Sequence, residues 1–331
     1  MKVTVTGLLR GIMASASALT LTLALPAAAQ SEYPNRPIRF LVGFPAGGAS
    51  DFIARIVAGE MSKSLGQQVV IENKPGASGN IATQAMLSAP ADGYTLVFAA
   101  IHFATNPAMM AVGYEPLKDL TLVSQISSVP VLMLTSPKTG YTTVGDVIKA
   151  AKAKKDGVPV GSGGLGTSSH LALELLARNS NFPFTHVPYR GGGPAMQALM
   201  AGEVDVTFDL MSGALRSNIE GKTIVPIAVM QDKRVPSLPS IPSIGEQGIG
   251  PESFIRSWQG VAVKTGTAPA VVAKLHKAVV DAVAVPEAKA KIEQLGADPI
   301  TSATPQDFQR HYETELARWG DLIRKAGIKA E

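Results

Sequence analysis

The chain contains no cysteine. That excludes disulfides, thiolate metal sites, a cysteine nucleophile and a lipid-modified N-terminal cysteine. Charge of one sign is scarce as well: the formal net charge is +4, and two of the cations, Lys2 and Arg10, lie in an N-terminal stretch without an acid, so its removal leaves +2. So even a balance carries no nucleic-acid footprint, and "KAAKAKKDG" from Lys149 reads as the solvated end of a helix. Beyond residue 29 no apolar run is long enough to span a bilayer, so the mature chain is expected to be soluble.

The motifs of catalysis are also missing. Gly161, Gly163 and Gly166 match the spacing of a dinucleotide fingerprint, but no Asp or Glu lies between Glu174 and Glu203 to hold a ribose. "GKT" at Gly221 would end a phosphate loop only if a glycine stood five positions earlier, where the chain has Arg216. His170 beside Ser168 and Ser169 is not accompanied by a G-x-S-x-G elbow, and neighbours on a helix do not face each other. The histidines show no metal spacing. The sequence therefore points to a protein that is not an enzyme and needs neither cofactor nor metal.

What is present begins with a leader. Lys2 and Arg10 form a basic start, Gly11 to Leu25 is mostly apolar, and Pro26 to Ala29 supply the small residues of a cleavage site before Gln30. Residues 1–29 are thus expected to be a signal peptide cleaved near Ala29/Gln30, leaving the mature chain in the periplasm. After it, the chain passes four times from an apolar, strand-like segment through a glycine loop into a helical pattern: "IRFLVGFPAGGASDFIARIVAGEMSKSLG", "VVIENKPGASGNIATQAMLSA", "VPVGSGGLGTSSHLALELL" and "FTHVPYRGGGPAMQALMAGE". In the first, Ser50 or Asp51 can cap the helix. In the fourth, Pro194 suits a first turn and Gly202 a C-terminal cap. Strands alternating with helices imply crossover units and mostly parallel sheets. Further strands are expected at "YTLVFAA", "VPVLMLTS", "VDVTFDL" and "IVPIAVM". A last helix should dock through Phe308, Tyr312, Leu316, Trp319 and Ile323, with Thr304 and Pro305 at its start.

A glycine loop at a helix start exposes unpaired backbone N–H groups at the positive end of the helix dipole, which suits a carboxylate. Two such loops, "PAGGASD" and "GLGTSSH", brought face to face from separate domains, would grip both ends of a small dianion without any buried arginine. The plainer alternative is that the glycines only permit tight turns.

Six stretches in order, "YPNRPIRFLVGFPAGGASDFIAR", "VVIENKPGASGNIA", "PADGYTLVFA", "GTSSHLALELL", "HVPYRGGGPAMQALMAGEVDV" and "LPSIPSIGEQG", resemble the Bug family, the extracytoplasmic solute receptors of tripartite tricarboxylate transporters. The resemblance runs from Tyr33 to near the C-terminus. It implies an α/β fold of the periplasmic binding protein type II kind, two domains joined by crossover strands with the ligand cleft between them. These would be residues 30–127 plus 254–331 and residues 128–253. It implies a monomer that closes like a flytrap on a small carboxylate and delivers it to the small and large transmembrane subunits of a transporter. Presentation of the solute to a sensor kinase stays open as an alternative, and a secreted hydrolase is the weaker one.

Carried over by position, first-domain ligand contacts would come from Phe44, Ala46, Gly47, Gly48 and Ser50, with Asp51 mainly capping its helix. Second-domain contacts would come from Ser162, Gly166, Thr167 and Ser168, with Tyr189 and Gly191 lining the cleft. Where many relatives carry small polar residues, this chain reads "AAIHFATNP", so Ile101, His102 and Phe103 are expected either to shape a more apolar pocket or to pack beneath the loop.

Overall fold

The computed structural model describes residues 33–328; the signal-peptide expectation lies outside them. The first half of the chain forms β1 (Ile38–Val42), α1 (Ala49–Leu65), β2 (Val69–Asn73), α2 (Asn80–Leu87), β3 (Thr95–Ala100), α3 (His102–Met109), the single turn α4 (Pro116–Asp119) and the long β4 (Leu120–Thr135). The second half carries α5 (Val144–Ala153), β5 (Val158–Ser162), α6 (Ser168–Ser180), β6 (Phe184–Pro188), α7 (Gly192–Ala201), β7 (Val206–Leu210), α8 (Gly213–Glu220) and β8 (Val225–Val229). The chain then returns through β9 (Arg256–Lys264), α9 (Pro269–Ala284), α10 (Pro286–Gln294), the two-residue β10 (Asp298–Pro299) and α11 (Pro305–Ala326).

All four strand-loop-helix units form. β3 is wholly buried and β1 is buried apart from Arg39, which is why they read as nearly continuous apolar runs rather than alternating ones. The sheet order is β2-β1-β3-β9-β4-β7-β5-β6, with β8 and β10 also pairing with β4. Pairing is parallel inside each set of units, β1 with β2 and β3, β5 with β6 and β7. It is antiparallel wherever β4 or β9 takes part. The expectation of mostly parallel sheets therefore needs correcting: the two connecting strands run against the units they join and contribute as much pairing as the units themselves. β4 pairs with β9 from Leu120 to Pro130 and with β7 from Val131 to Thr135, so one continuous strand passes from the first half into the second.

The largest core cluster runs through both halves, joining Leu41, Val97 and Phe103 to Val144, Leu171 and Phe208, and two further clusters belong to one half each. Phe40, Phe98, Ile53, Val57, Met61, Val261 and Val279 pack between the first sheet and helices α1 and α9. Leu132, Leu134, Leu199, Val204 and Leu215 fill a smaller cluster in the second half. α11 closes the first half: Phe308, Tyr312, Trp319 and Ile323 are buried and Leu316 packs partly against them. The indole N–H groups of Trp258 and Trp319 both donate to Glu315 Oε2, at 3.1 and 2.7 Å, so the acid that enters this apolar seam is satisfied. Among the described residues, no helix is long and apolar enough to cross a membrane.

Candidate functional site

In parallel units the loops that follow the strand ends gather on one edge of the sheet, where α/β proteins place their ligands. Here the loops after β1, β5 and β6 and the ends of β3 and β7 surround a cavity of about 540 Å³, a size suited to a small molecule. Five of the described helices start on it, α1, α3, α6, α7 and α8, and three of these follow glycine loops. The N-cap positions of α1, α6 and α7 are Gly48, Thr167 and Gly191, and at none of them does a side chain accept a hydrogen bond from the first turn. The N–H groups of Ala49, Ser50, Ser168, Ser169, Gly192 and Gly193 thus have neither a carbonyl four residues back nor a cap, and all six residues line the cavity.

Among the described residues, no lysine or arginine lines this space, and His102 and Asp209 are the only titratable side chains that do. His102 is buried, meets Phe44 and Phe103 edge to face at centroid distances of 5.3 and 4.9 Å, and neither ring nitrogen has a hydrogen-bond partner. Burial pushes its pKa down to about 3, so the ring is neutral at neutral pH. Asp209, at the end of β7, has its pKa raised by burial to about 7, opposed only by the Leu210 N–H that donates to its Oδ1 at 2.8 Å. Below the cavity, the glycine loop ahead of α6 is braced by two imidazoles. His186 and His170 stack at 4.3 Å; Nε2 of His186 bonds the Ser162 hydroxyl at 2.7 Å, and Nδ1 of His170 accepts from the Gly166 N–H at 3.1 Å. Burial, aided by the neighbouring His170, holds His186 down at about 3.

The two halves touch beside the cavity. The Thr105 hydroxyl donates to the Gly166 carbonyl at 2.6 Å and the Ser78 hydroxyl to the Leu165 carbonyl. Gly166 has φ +71°, and a Cβ there would stand 2.8 Å from Asn106 Oδ1. Glycine suits both the left-handed backbone and the close packing of the Asn106, Met109 and Thr105 side chains against it.

A model of the tripartite tricarboxylate transporter family receptor matches residues 53–328. This chain belongs to that receptor family. Protein BugT of Bordetella pertussis is 32% identical over 321 residues, covering 94% of this chain and 95% of that one. The periplasmic binding protein BugD superposes with a TM-score of 0.85 at 31% identity, over 90% of this chain and all of the other. Rpa4515 of R. palustris, solved with adipate, gives 0.85 at 34% identity over 90% and 99%. The fold is accordingly that of a periplasmic binding protein, α/β with two halves joined by crossover strands.

In this receptor, the structure brings Phe44, Ala46, Gly47, Gly48, Ser50, Ile101, His102, Thr167, Ser168 and Gly191 together on the cavity wall. It places four other sequence-derived candidates elsewhere. Asp51 Oδ2 accepts from the Gly47 N–H and from Arg55 Nε, each at 3.0 Å, while its Oδ1 accepts from Asn73 at 2.9 Å. Burial pushes its pKa up, but these bonds outweigh that and hold it below the usual range. Asp51 stands in the first turn, and neither it nor Ser50 is the cap, because the helix already begins at Ala49 behind Gly48. Ser162 turns its hydroxyl to His186, and Gly166 spends both backbone groups on His170 and Thr105. Tyr189 lines a neighbouring cavity of about 690 Å³ and points its hydroxyl toward Glu203, 3.4 Å away.

The cavity also has lining residues that sequence reasoning missed: Ser169, Gly192, Gly193, Met196, Gln197, Met200, Asp209, Ser212, Asn218 and Ser257 among them. Asp209 left no clear signal, since an acid near the carboxyl end of "VDVTFDL" reads as a surface group just as Asp205 at its start does. His170 and Ser169 make no hydrogen bond to each other; Ser169 Oγ instead bonds Thr167 Oγ1 and accepts from the Gly163 N–H, each at 2.8 Å. Among the described residues, no group of three or more His, Asp or Glu could hold a metal ion.

Proposed function

We propose that this receptor captures a small carboxylate in the cavity between its halves, outside the cytoplasm, and hands it to the small and large membrane subunits of a tripartite transporter without chemically changing it. The observation that carries this reading is the convergence of three uncapped helix starts, each led by a glycine loop, on a cavity that no lysine or arginine lines among the described residues. Partial positive charge from backbone N–H groups is then the attraction on offer to an anion. The periplasmic relative BugD and the relative solved with adipate support it. The ligand would contact Ala46 to Ser50 from one side and Thr167, Ser168 and Gly191 to Gly193 from the other.

We assign the moving lobes to residues 30–127 plus 254–331 and to residues 128–253, with β4 and the approach to β9 as the flexing connections. A ligand bridging both walls has more contacts when the halves are together, and that difference in affinity drives closure. A thermal-shift screen against mono-, di- and tricarboxylates tests the reading, since ligand at 100 times its Kd should stabilise by about 2.7 kcal/mol. A saturable shift with the ligand recovered unchanged is the expected result. A well-folded sample that no carboxylate stabilises contradicts it.

A further inference from the structure

Asp209 is an anomaly in a cavity made for anions. Its carboxylate stands beside the first residue of α7, so close that a Cβ on Gly192 would fall inside it; the missing side chain at 192 is the room the acid occupies. One oxygen is held by the Leu210 N–H. The other accepts no hydrogen bond from any described residue, and no described cation pairs with the group. The elements around it offer no charge: the cavity-lining residues of α7 are Gly192, Gly193, Pro194, Met196, Gln197 and Met200, and α8 contributes Ala214 and Asn218. On β4 it lies opposite Leu132. The one other titratable group on the cavity, His102, is neutral.

An acid fixed at the cavity wall with one free oxygen is an acceptor awaiting a donor, because a ligand that fills the cavity displaces water from that oxygen and leaving it unpaired is then costly. We infer that Asp209 is the specificity-determining residue of this cavity, reading a hydroxyl or ammonium group that the bound carboxylate carries at its carbon skeleton. The inference rests on the carboxylate-receptor reading and narrows it from carboxylates in general to hydroxy- and amino-carboxylates. The ligand's carboxylate sits at the helix starts, and its O–H or N–H donates to the free oxygen of Asp209. An unsubstituted acid leaves that oxygen unsatisfied, and one that presents a second carboxylate there meets like charge.

Calorimetric titration at pH 8, where Asp209 is ionised, tests this with matched series: four-, five- and six-carbon dicarboxylates, each as the parent acid, its 2-hydroxy and its 2-amino derivative. The expected result is that, within the chain length that binds, a substituted acid is preferred over its parent by on the order of 10- to 100-fold. That preference should disappear in Asp209→Leu, which removes the acceptor while keeping a side chain branched at Cγ. Asp209→Asn separates the two donors: it keeps an acceptor oxygen but not the charge, so preference for the hydroxy acid survives and preference for the amino acid falls at least about tenfold. Equal affinity for parent and derivatives in the wild-type protein overturns the assignment while leaving the carboxylate reading intact, as does an undiminished preference in a folded Asp209→Leu. If Asp209→Leu does not fold, the wild-type series and Asp209→Asn decide alone. Absence of binding by every acid in the series, including adipate, overturns this assignment for dicarboxylates, and the receptor reading falls with it only if the mono- and tricarboxylates of the thermal-shift screen also fail to bind.

Discussion

Two kinds of helix start coexist in this molecule. α5, α8 and α11 begin on Thr143, Ser212 and Thr304, whose hydroxyls accept from the backbone N–H three residues on, at 3.1, 3.2 and 3.1 Å. α5 adds the reciprocal bonds from Asp146 back to the chain ahead of it. α1, α6 and α7 begin on Gly48, Thr167 and Gly191 with no such bond, although Thr167 carries a hydroxyl that could make one; it is turned instead to the Gly164 carbonyl and to Ser169. A cap contributes about 1 kcal/mol. The division is not simply one of capped starts away from the cavity and uncapped ones on it, because Ser212 caps α8 on the cavity wall and α9 and α10 start uncapped elsewhere, behind Pro269 and Pro286; what sets α1, α6 and α7 apart is that glycine loops lead into them and their first-turn N–H groups line the cavity, open to something outside the chain.

The sharpest way to break this comparison is to cap a cavity-facing helix. Gly48 has an ordinary extended backbone and a Cβ there would lie 3.6 Å from the nearest backbone oxygen, so Gly48→Asp fits the fold. It should raise stability by up to about 1 kcal/mol through the cap and the helix dipole. The same change should weaken carboxylate binding on the order of 100-fold, because a fixed negative charge now occupies the anion's place. Thermal denaturation and calorimetric titration of one sample read the two opposite signs.

A smaller effect is expected where the halves meet. Gly166→Ala forces a left-handed backbone on a residue with a Cβ and drives it into Asn106, costing about 1–3 kcal/mol of stability. Denaturant titration checks this, and affinity should fall with it because closed contacts are lost.

The α6 loop is held by imidazoles rather than by a cap, and this gives a pH dependence with a definite sign. His186 and His102 both sit at about 3 in the folded protein, against about 6.5 in an unfolded chain, so the unfolded state takes up protons first. Stability is fully present above pH 6.5 and is lost as pH falls from there toward 3. His186→Gln should flatten that slope; Tm measured between pH 7 and 4 for both proteins shows whether it does. Smallest of all, Thr304→Ala should cost about 1 kcal/mol of stability and leave carboxylate affinity within about twofold, since its helix start lies away from the cavity.

Much of the architecture was legible because helices and buried strands carry strong periodic signals: the four strand-loop-helix units, the left-handed Gly202 that ends α7 and the Thr304 start of α11 are all readable from residue order. The antiparallel role of β4 and β9 was not, since nothing local in "VPVLMLTS" or "WQGVAVKTG" says which distant strand it will lie beside. The site divides the same way. Glycine loops announce a helix start open to an anion, so the Gly47 and Thr167 regions could be named in advance. Which way a small side chain turns is a tertiary matter, and Ser162 toward His186 and Gly166 toward Thr105 could not be. Asp209 hid for a third reason: at the end of a strand an acid reads as a surface group, and only the empty Cβ position of Gly192 reveals that it faces inward.

The most direct test of the central claim, that backbone N–H groups at three helix starts hold the anion, is to follow those amides by NMR while a carboxylate identified by thermal shift is added to saturation. The account predicts that the amide signals of Ala49, Ser50, Ser168, Ser169, Gly192 and Gly193 move together with the occupancy, and that those of the capped starts after Thr143 and Thr304 stay in place. Saturation that leaves the cavity-facing amides unshifted would contradict it.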